Sequence, residues 1–326
     1  MQNTQRQDGL DYPLVTIVIP AKNEERDIAR CLKSINQLDY PQDKIEVIVV
    51  DNGSTDKTIS LVKEFKKASL LNVEGYVGKV RNAGGKKAKG DIIAFLDADC
   101  LPPRNWLNKG VTILNSDKTL AIVGACLHLE SENTPWIEKL WINYLNVNFA
   151  PGINYVDTIS SFCFITTKEL MNKVGWFNET LATCEDSDLG YRMSELGYKL
   201  CIDSTIKTIH LGNAKTLKAF FNRQLWQGGS NLKNVLTHSF SFKELPSILV
   251  PLVFIMQILT SLILFTTWHI DWALFSVLLT PALPVLITIK KRHNYSIRVL
   301  SGYFIIWSTY LLARGLGMFV KVGRWK

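Results

Sequence analysis

The sequence predicts an α/β protein with a mainly parallel sheet, followed by a C-terminal part built from apolar helices. Three observations carry this. Short β-branched runs alternate with helical spacings over the first hundred or so residues. The runs end in a proline or an acidic cluster, at the strand ends where ligands of parallel sheets bind. From Leu245 onward, mixed composition gives way to three long hydrophobic segments.

Residues 15–20 (Val-Thr-Ile-Val-Ile-Pro) read as a buried strand, and Ala21-Lys22-Asn23-Glu24-Glu25 as the turn after it. Ile28, Leu32, Ile35 and Leu38 fall at helical spacing, giving an amphipathic helix that Pro41 ends. Residues 45–50 form a second strand closed by Asp51-Asn52-Gly53-Ser54. Ser54 or Thr55 then caps a helix whose apolar face carries Ile59, Val62 and Phe65. A weaker strand at 70–73, a short helix at 78–89 and a fourth strand at 92–96 complete the alternation.

The fourth strand runs into Asp97-Ala98-Asp99 before Pro102 and Pro103 stop it. Side chains alternate with period two, so in an extended chain both carboxylates face one way. Such a pair suits a hard divalent cation bridging a diphosphate. Gly84-Gly85-Lys86-Lys87 is not a Walker phosphate loop, because Lys86 is not followed by Ser or Thr and the upstream glycine is missing.

The net charge is +8. Lys and Arg gather beside the hydrophobic segments and in one central stretch, which fits an anionic membrane surface or phosphate ligands rather than nucleic acid. Residues 1–11 are polar and lack the apolar core of a secretory leader. Cys31, Cys100, Cys126, Cys163, Cys184 and Cys201 form no Cys-x-x-Cys pair, which argues for a reducing compartment and against structural zinc.

Val-Ile-Pro-Ala-Lys-Asn-Glu, Val-Asp-Asn-Gly-Ser-Thr-Asp, Arg-Asn-x-Gly and Phe-Leu-Asp-Ala-Asp stand in order across residues 15–104. Together they resemble the nucleotide half of the family 2 glycosyltransferases, which have the GT-A fold. The resemblance implies that Pro20, Ala21, Asn23, Glu24 and Asp51 face the base and ribose of a nucleoside-diphosphate sugar. It places Arg81 near the nucleotide and gives Asp97 and Asp99 to a divalent metal, Mg²⁺ or Mn²⁺. A carboxylate acceptor suits the imino donor of uracil or guanine; taken alone, Asp51 is also a common turn residue.

The middle of the chain supplies the acceptor side. Trp136, Leu140, Trp141, Tyr144 and Leu145 form a stripe on a helix, open to core packing, membrane contact or acceptor stacking. Residues 159–166 read as another strand. In Cys184-Glu185-Asp186-Ser187-Asp188, the resemblance makes Asp186 the general base, with Glu185 orienting the site and Asp188 as the competing base. The same acidic residues also suit a helix N-terminus. By resemblance His210 is a third metal ligand. Phe221 to Gly229 resembles the Gln-x-x-Arg-Trp box of processive synthases, but only Trp226 is in register. Asn222 and Leu225 replace Gln and Arg, which puts processive synthesis in doubt. Trp226 is left for acceptor stacking and Arg223 for the diphosphate.

Segments 245–265 and 273–289 are long enough to span a bilayer; 299–320, carrying Arg314, either spans or lies in the interface. Lys290, Lys291, Arg292 and Arg298 follow the second segment, and Lys321, Arg324 and Lys326 end the chain. Positive-inside bias therefore puts residues 1–240 on the cytoplasmic face of the cell (inner) membrane, anchored by residues 241–326 as a multi-pass segment. The expected activity is metal-dependent inverting sugar transfer from a nucleoside-diphosphate sugar to a lipid-linked or nascent glycan acceptor, in cell-surface polysaccharide or glycoconjugate synthesis. A polyprenyl-phosphate sugar synthase and an inactive sugar-nucleotide-binding membrane subunit are the alternatives.

Overall fold

The computed structural model describes residues 12–237, 245–290 and 296–320. Residues 1–11, Lys291, Arg292, Lys321, Arg324 and Lys326, which bear on the leader and on orientation, lie outside the described residues. Along the chain come β1 (Val15–Ala21), α1 (Ile28–Ile35), β2 (Ile45–Asp51), α2 (Thr58–Glu64), β3 (Ala68–Asn72), α3 (Val77–Lys87) and β4 (Ile92–Leu96). Next are β5 (Cys100–Leu101), α4 (Trp106–Ser116), β6 (Leu120–His128), α5 (Trp136–Asn146), β7 (Ile153–Val156), β8 (Cys163–Thr167), α6 (Lys168–Val174), α7 (Glu185–Glu195) and β9 (Lys199–His210). The helices α8 (Leu217–Thr237), α9 (Leu245–Thr266), α10 (Ile270–Leu279), α11 (Ala282–Lys290) and α12 (Ile297–Gly317) follow. The residues separate into two compact units: up to 126 with 150–179 and 189–211, and 127–149 with 180–188 and 212 onward.

The first unit is organised by one mixed sheet in the order β3-β2-β1-β4-β8-β6-β9-β5, with β7 paired to β9. The half β3-β2-β1-β4 is parallel, as the strand–helix alternation demands. β8 pairs antiparallel with both β4 and β6, and β9 pairs antiparallel with both β5 and β7. The sheet's two faces build two apolar layers, one including Ile17, Ile19, Val49 and Leu96, the other Val18, Val50, Phe95 and Phe164. Each such side chain, fully buried, contributes roughly 1.5–3 kcal/mol.

Several local expectations shift. α1 ends at Ile35 instead of reaching Pro41. Gln37 N–H donates to Ser34 O and Leu38 N–H to Ile35 O, a tight final turn that still buries Leu38. α2 starts at Thr58, and neither Ser54 nor Thr55 caps it, because both are engaged by Asn23. β8 begins at Cys163 instead of 159; Ile159 is buried without joining the strand. Gly84 and Gly85 serve packing: a Cβ on Gly84 would lie 2.4 Å from Val18 Cγ1, and one on Gly85 2.3 Å from the Trp176 ring.

The second unit holds α5, α8 and the apolar helices. Among the described residues, three stretches are long and apolar enough to cross a membrane: Leu245–Thr266, Ile270–Thr288 and Ile297–Gly317. The middle one is divided into α10 and α11 at Pro281, which has no N–H to donate to the carbonyl four residues earlier. Gln257 of α9 donates to Ser276 O and Oγ of α10 at 2.9 and 2.8 Å, joined by the Ser261 hydroxyl. These bonds satisfy polar groups that lipid could not.

Candidate functional site

In the first unit, three loops at the carboxyl ends of β1, β2 and β3 are stitched to one another. Asn52 N–H donates to Ala21 O, and Val73 N–H to Asp51 O. Asn23, at φ 55°, sits in the left-handed region that asparagine tolerates. Its amide N–H donates to Ser54 Oγ and its Oδ1 accepts from Thr55 N–H. Glu24 N–H donates to Thr58 Oγ1 at 2.7 Å, and Glu25 N–H to Asp56 Oδ2. The Asn52 side chain bonds Gly75 through both its groups. Pro20 and Ala21 close β1 inside this frame.

Asp51 is 2% exposed. Its Oδ2 accepts from Gly53 and Ser54 N–H, the turn geometry expected of aspartate. Its Oδ1 is buried with no protein partner, an acceptor left over once the turn is made.

After β4 the chain does not stay extended. Cys100 N–H donates back to Asp97 O, a turn that gives the two carboxylates different partners. Asp97 Oδ1 accepts from the buried Arg81 guanidinium at 2.6 Å, and Arg81 also lies over the Phe177 ring. Asp99 turns to His210, with Oδ2 3.7 Å from Nδ1. His210 is the last residue of β9 and pairs directly with Cys100 across the ladder.

Asp99, Cys100 and His210 bring ligand atoms within 4.8 Å of one another. Burial and the neighbouring Asp99 and Asp97 push the Cys100 thiol well up, so a carboxylate oxygen and an imidazole nitrogen are the ready donors. Burial and then Asp99, Asp27, Asp97 and Asp56 push Glu24 up to about 8. This crowding of carboxylates is what a bound divalent cation relieves.

Asn82, whose role the sequence did not reveal, fixes the segment after α6. Its Oδ1 accepts from Phe177 N–H, and its Nδ2 donates to Phe177 O and Glu179 Oε1.

In the second unit, Cys184 takes φ 64°, unusual for a non-glycine residue, and α7 starts immediately after it. Glu185 is buried; Asp186 is half-buried, its Oδ1 accepting from Ser187 N–H; Asp188 is fully buried. Burial and then Asp186 push the Cys184 thiol up to about 12, opposed in part by the hydrogen bond with Thr183 and then by the Arg314 charge. On α8, Arg223 reaches Asn213 Oδ1 at 3.5 Å and Trp226 is half-buried. Gln224 and Gln227, which the sequence did not single out, both accept from Arg314 of α12. The signal for this was Arg314 itself, a charge in an apolar segment; its partners were invisible.

The model of the family described as Glycosyl transferase family 2 matches residues 16–174. The glycosyltransferase AglE of Haloferax volcanii is 29% identical over 194 residues, covering 58% of this chain and 64% of that protein. A dolichyl N-acetyl-alpha-D-glucosaminyl phosphate 3-beta-D-2,3-diacetamido-2,3-dideoxy-beta-D-glucuronosyltransferase of Methanococcus voltae is 33% identical over 130 residues, 36% of this chain and 40% of that one. The chain thus spans less than two thirds of these relatives. The mannosyltransferase PcManGT of Pyrobaculum calidifontis, solved with GDP-Man and Mn²⁺, superposes with a TM-score of 0.62 at 20% identity, over 94% of this chain and 87% of that one.

Proposed function

This chain belongs to glycosyl transferase family 2, and from that premise we propose that it moves a sugar, with inversion, from a nucleoside-diphosphate donor to a lipid-linked or nascent glycan acceptor in cell-surface glycan synthesis. The observation that carries the reading is the spare buried oxygen of Asp51 at the carboxyl end of β2. An unmet acceptor there suits the imino N–H of a uracil or guanine base. Pro20, Ala21, Asn23 and Glu24 frame the nucleotide, and Arg81 steadies Asp97 and the donor phosphates.

Asp97, Asp99 and His210 would hold a divalent cation, which when bound offsets charge on the departing nucleoside diphosphate. An imidazole in the donor set suits Mn²⁺ better than Mg²⁺, which favours all-oxygen sites. Asp186 takes the proton of the acceptor hydroxyl, Glu185 orients that group, and Trp226 and Arg223 border the acceptor and diphosphate. Residues 1–240 act at the cytoplasmic face, and residues 241–326 anchor them as membrane-crossing helices.

The test is a thermal-shift panel of nucleoside-diphosphate sugars with Mn²⁺, followed by release of nucleoside diphosphate. Asp51→Asn retains an oxygen for the Gly53–Ser54 turn but replaces the spare acceptor with a donor. It should lose the ligand-induced shift while the free protein melts as before. Asp99→Ala should abolish metal-dependent release. Donor binding without turnover under every metal tried would point to a sugar-nucleotide-binding subunit and overturn the enzyme reading.

A further inference from the structure

Arg314 lies in the last turn of α12, a helix apolar enough to span a membrane. A guanidinium in such a helix is costly and marks a functional position unless it is paired. Nε donates to Gln224 Oε1 at 2.9 Å and Nη2 to Gln227 Oε1 at 2.8 Å, and the group lies 5.2 Å from the Tyr310 ring centroid. Both glutamine oxygens are neutral, and Gln224 is 1% exposed. Among the described residues no carboxylate pairs with Arg314. Two of five N–H donors are occupied, so the fork is oriented while its charge stays unmatched.

The orientation is built in. A Cβ on Gly228 of α8 would lie 2.6 Å from Arg314 O, and one on Gly317 2.2 Å from Leu225 O, so the α8 and α12 backbones touch. A second observation lies on the same face of α12, seven and four residues earlier, at Trp307 and Tyr310. Trp307 is 5% exposed, and its Nε1–H is buried with no acceptor. Its ring meets Tyr144 edge to face at 4.7 Å and Tyr310 at 5.4 Å. The line Trp307–Tyr310–Arg314 thus offers an N–H, an aromatic face and a cation, the composition of a membrane–water boundary.

We propose that Arg314 recognises a phosphoryl oxyanion on a lipid-linked acceptor, with Trp307 Nε1–H and the aromatic face taking the group next to it. This rests on the glycosyltransferase reading and names the acceptor's chemistry: a phosphate at headgroup level on an aliphatic chain. The lipid source is favoured because the cation belongs to an apolar helix among Trp and Tyr side chains. The influence of Arg314 on Cys184 puts it within electrostatic reach of the turn that precedes Glu185 and Asp186, where an acceptor belongs.

The experiment uses the full chain in phosphatidylcholine nanodiscs, with tryptophan fluorescence as the binding signal. Farnesyl phosphate is titrated against farnesol, inorganic phosphate, and UDP or GDP. The expected result is saturable binding of farnesyl phosphate above the phosphatidylcholine background, with farnesol and inorganic phosphate far weaker. Arg314→Gln should weaken farnesyl phosphate about tenfold or more and leave the nucleoside-diphosphate thermal shift unchanged. Should Arg314→Gln not fold, Arg314→Lys decides, since it keeps the charge but loses the fork. It should weaken the lipid phosphate several-fold, and unchanged affinity overturns the proposal. So does inorganic phosphate binding as tightly as the lipid, or an Arg314→Gln variant that loses only the nucleoside diphosphate, which would make the donor its partner. Arg314-dependent lipid-phosphate binding without any sugar transfer would sink the enzyme reading and leave this site standing. Normal transfer to acceptor by Arg314→Gln would do the reverse.

Discussion

Asp186 and Asp188 sit two residues apart at the start of α7 in different surroundings. Asp186 is half-buried and bonded to the next amide, whereas Asp188 is fully enclosed. A base must reach substrate, so Asp186→Asn should lower turnover roughly 10²–10⁴-fold with donor affinity nearly unchanged. Asp188→Asn should cost less turnover and act mainly on melting temperature, by about 1–3 kcal/mol for a disturbed buried polar group. Dead Asp188→Asn beside active Asp186→Asn would reverse the assignment. If both are active, an acceptor phosphate, already ionised, replaces the hydroxyl. Glu24 gives a pH prediction. Its folded value, raised from 4.5 to about 8, means that its stabilising contribution is present below pH 4.5 and is lost as pH rises through 8. In chelator the melting temperature should fall across that window more steeply for the native protein than for Glu24→Gln. Identical slopes would show that Glu24 carries no such load.

Among elements, α8 and α12 meet through glycine. Gly317 brings its backbone against Leu225 O, where any side chain collides with a carbonyl that cannot swing away. Gly317→Leu should therefore destabilise by about 1–3 kcal/mol, as overpacking does, read as a lower melting temperature in detergent. A melting temperature equal to that of the native chain would show that the two helices are not held at this distance. α1 and α2 make the complementary point. Hydrophobic spacing located both helices, but the bond that Ser34 O accepts from Gln37 N–H and the bonds joining Asn23 to Ser54 and Thr55 set where one ended and the other began.

For the whole molecule, three apolar stretches, Leu245–Thr266, Ile270–Thr288 and Ile297–Gly317, predict retention by membranes through hydrophobic insertion rather than charge. Insertion resists salt, while attraction of Lys and Arg to anionic lipid is screened within about 10 Å at 0.1 M salt. Full-length chain should remain in the membrane pellet after a high-salt or carbonate wash. Release into the supernatant would remove the anchoring role.

The sequence by itself determined what depends on local periodicity and composition: β1, β2 and β4, the start of α7 at Glu185, the aromatic stripe of α5 and the three apolar stretches. Continuous runs of Val and Ile bounded by proline or an acidic cluster leave a chain few ways to bury itself, so those strands are legible in the sequence. The ordered motifs likewise singled out Asp51, Asp97 and Asp99, and the family resemblance added His210, as expectations from sequence. Tertiary structure alone decided which partners they meet. The turn at Ala98 separates Asp97, held by Arg81, from Asp99, set beside a histidine far along the chain. It also decided that Gly84 and Gly85 serve close packing and that Arg314 rests on two glutamines of α8. Such pairings join residues whose separation in sequence carries no period, and only the packed chain brings them within hydrogen-bond reach.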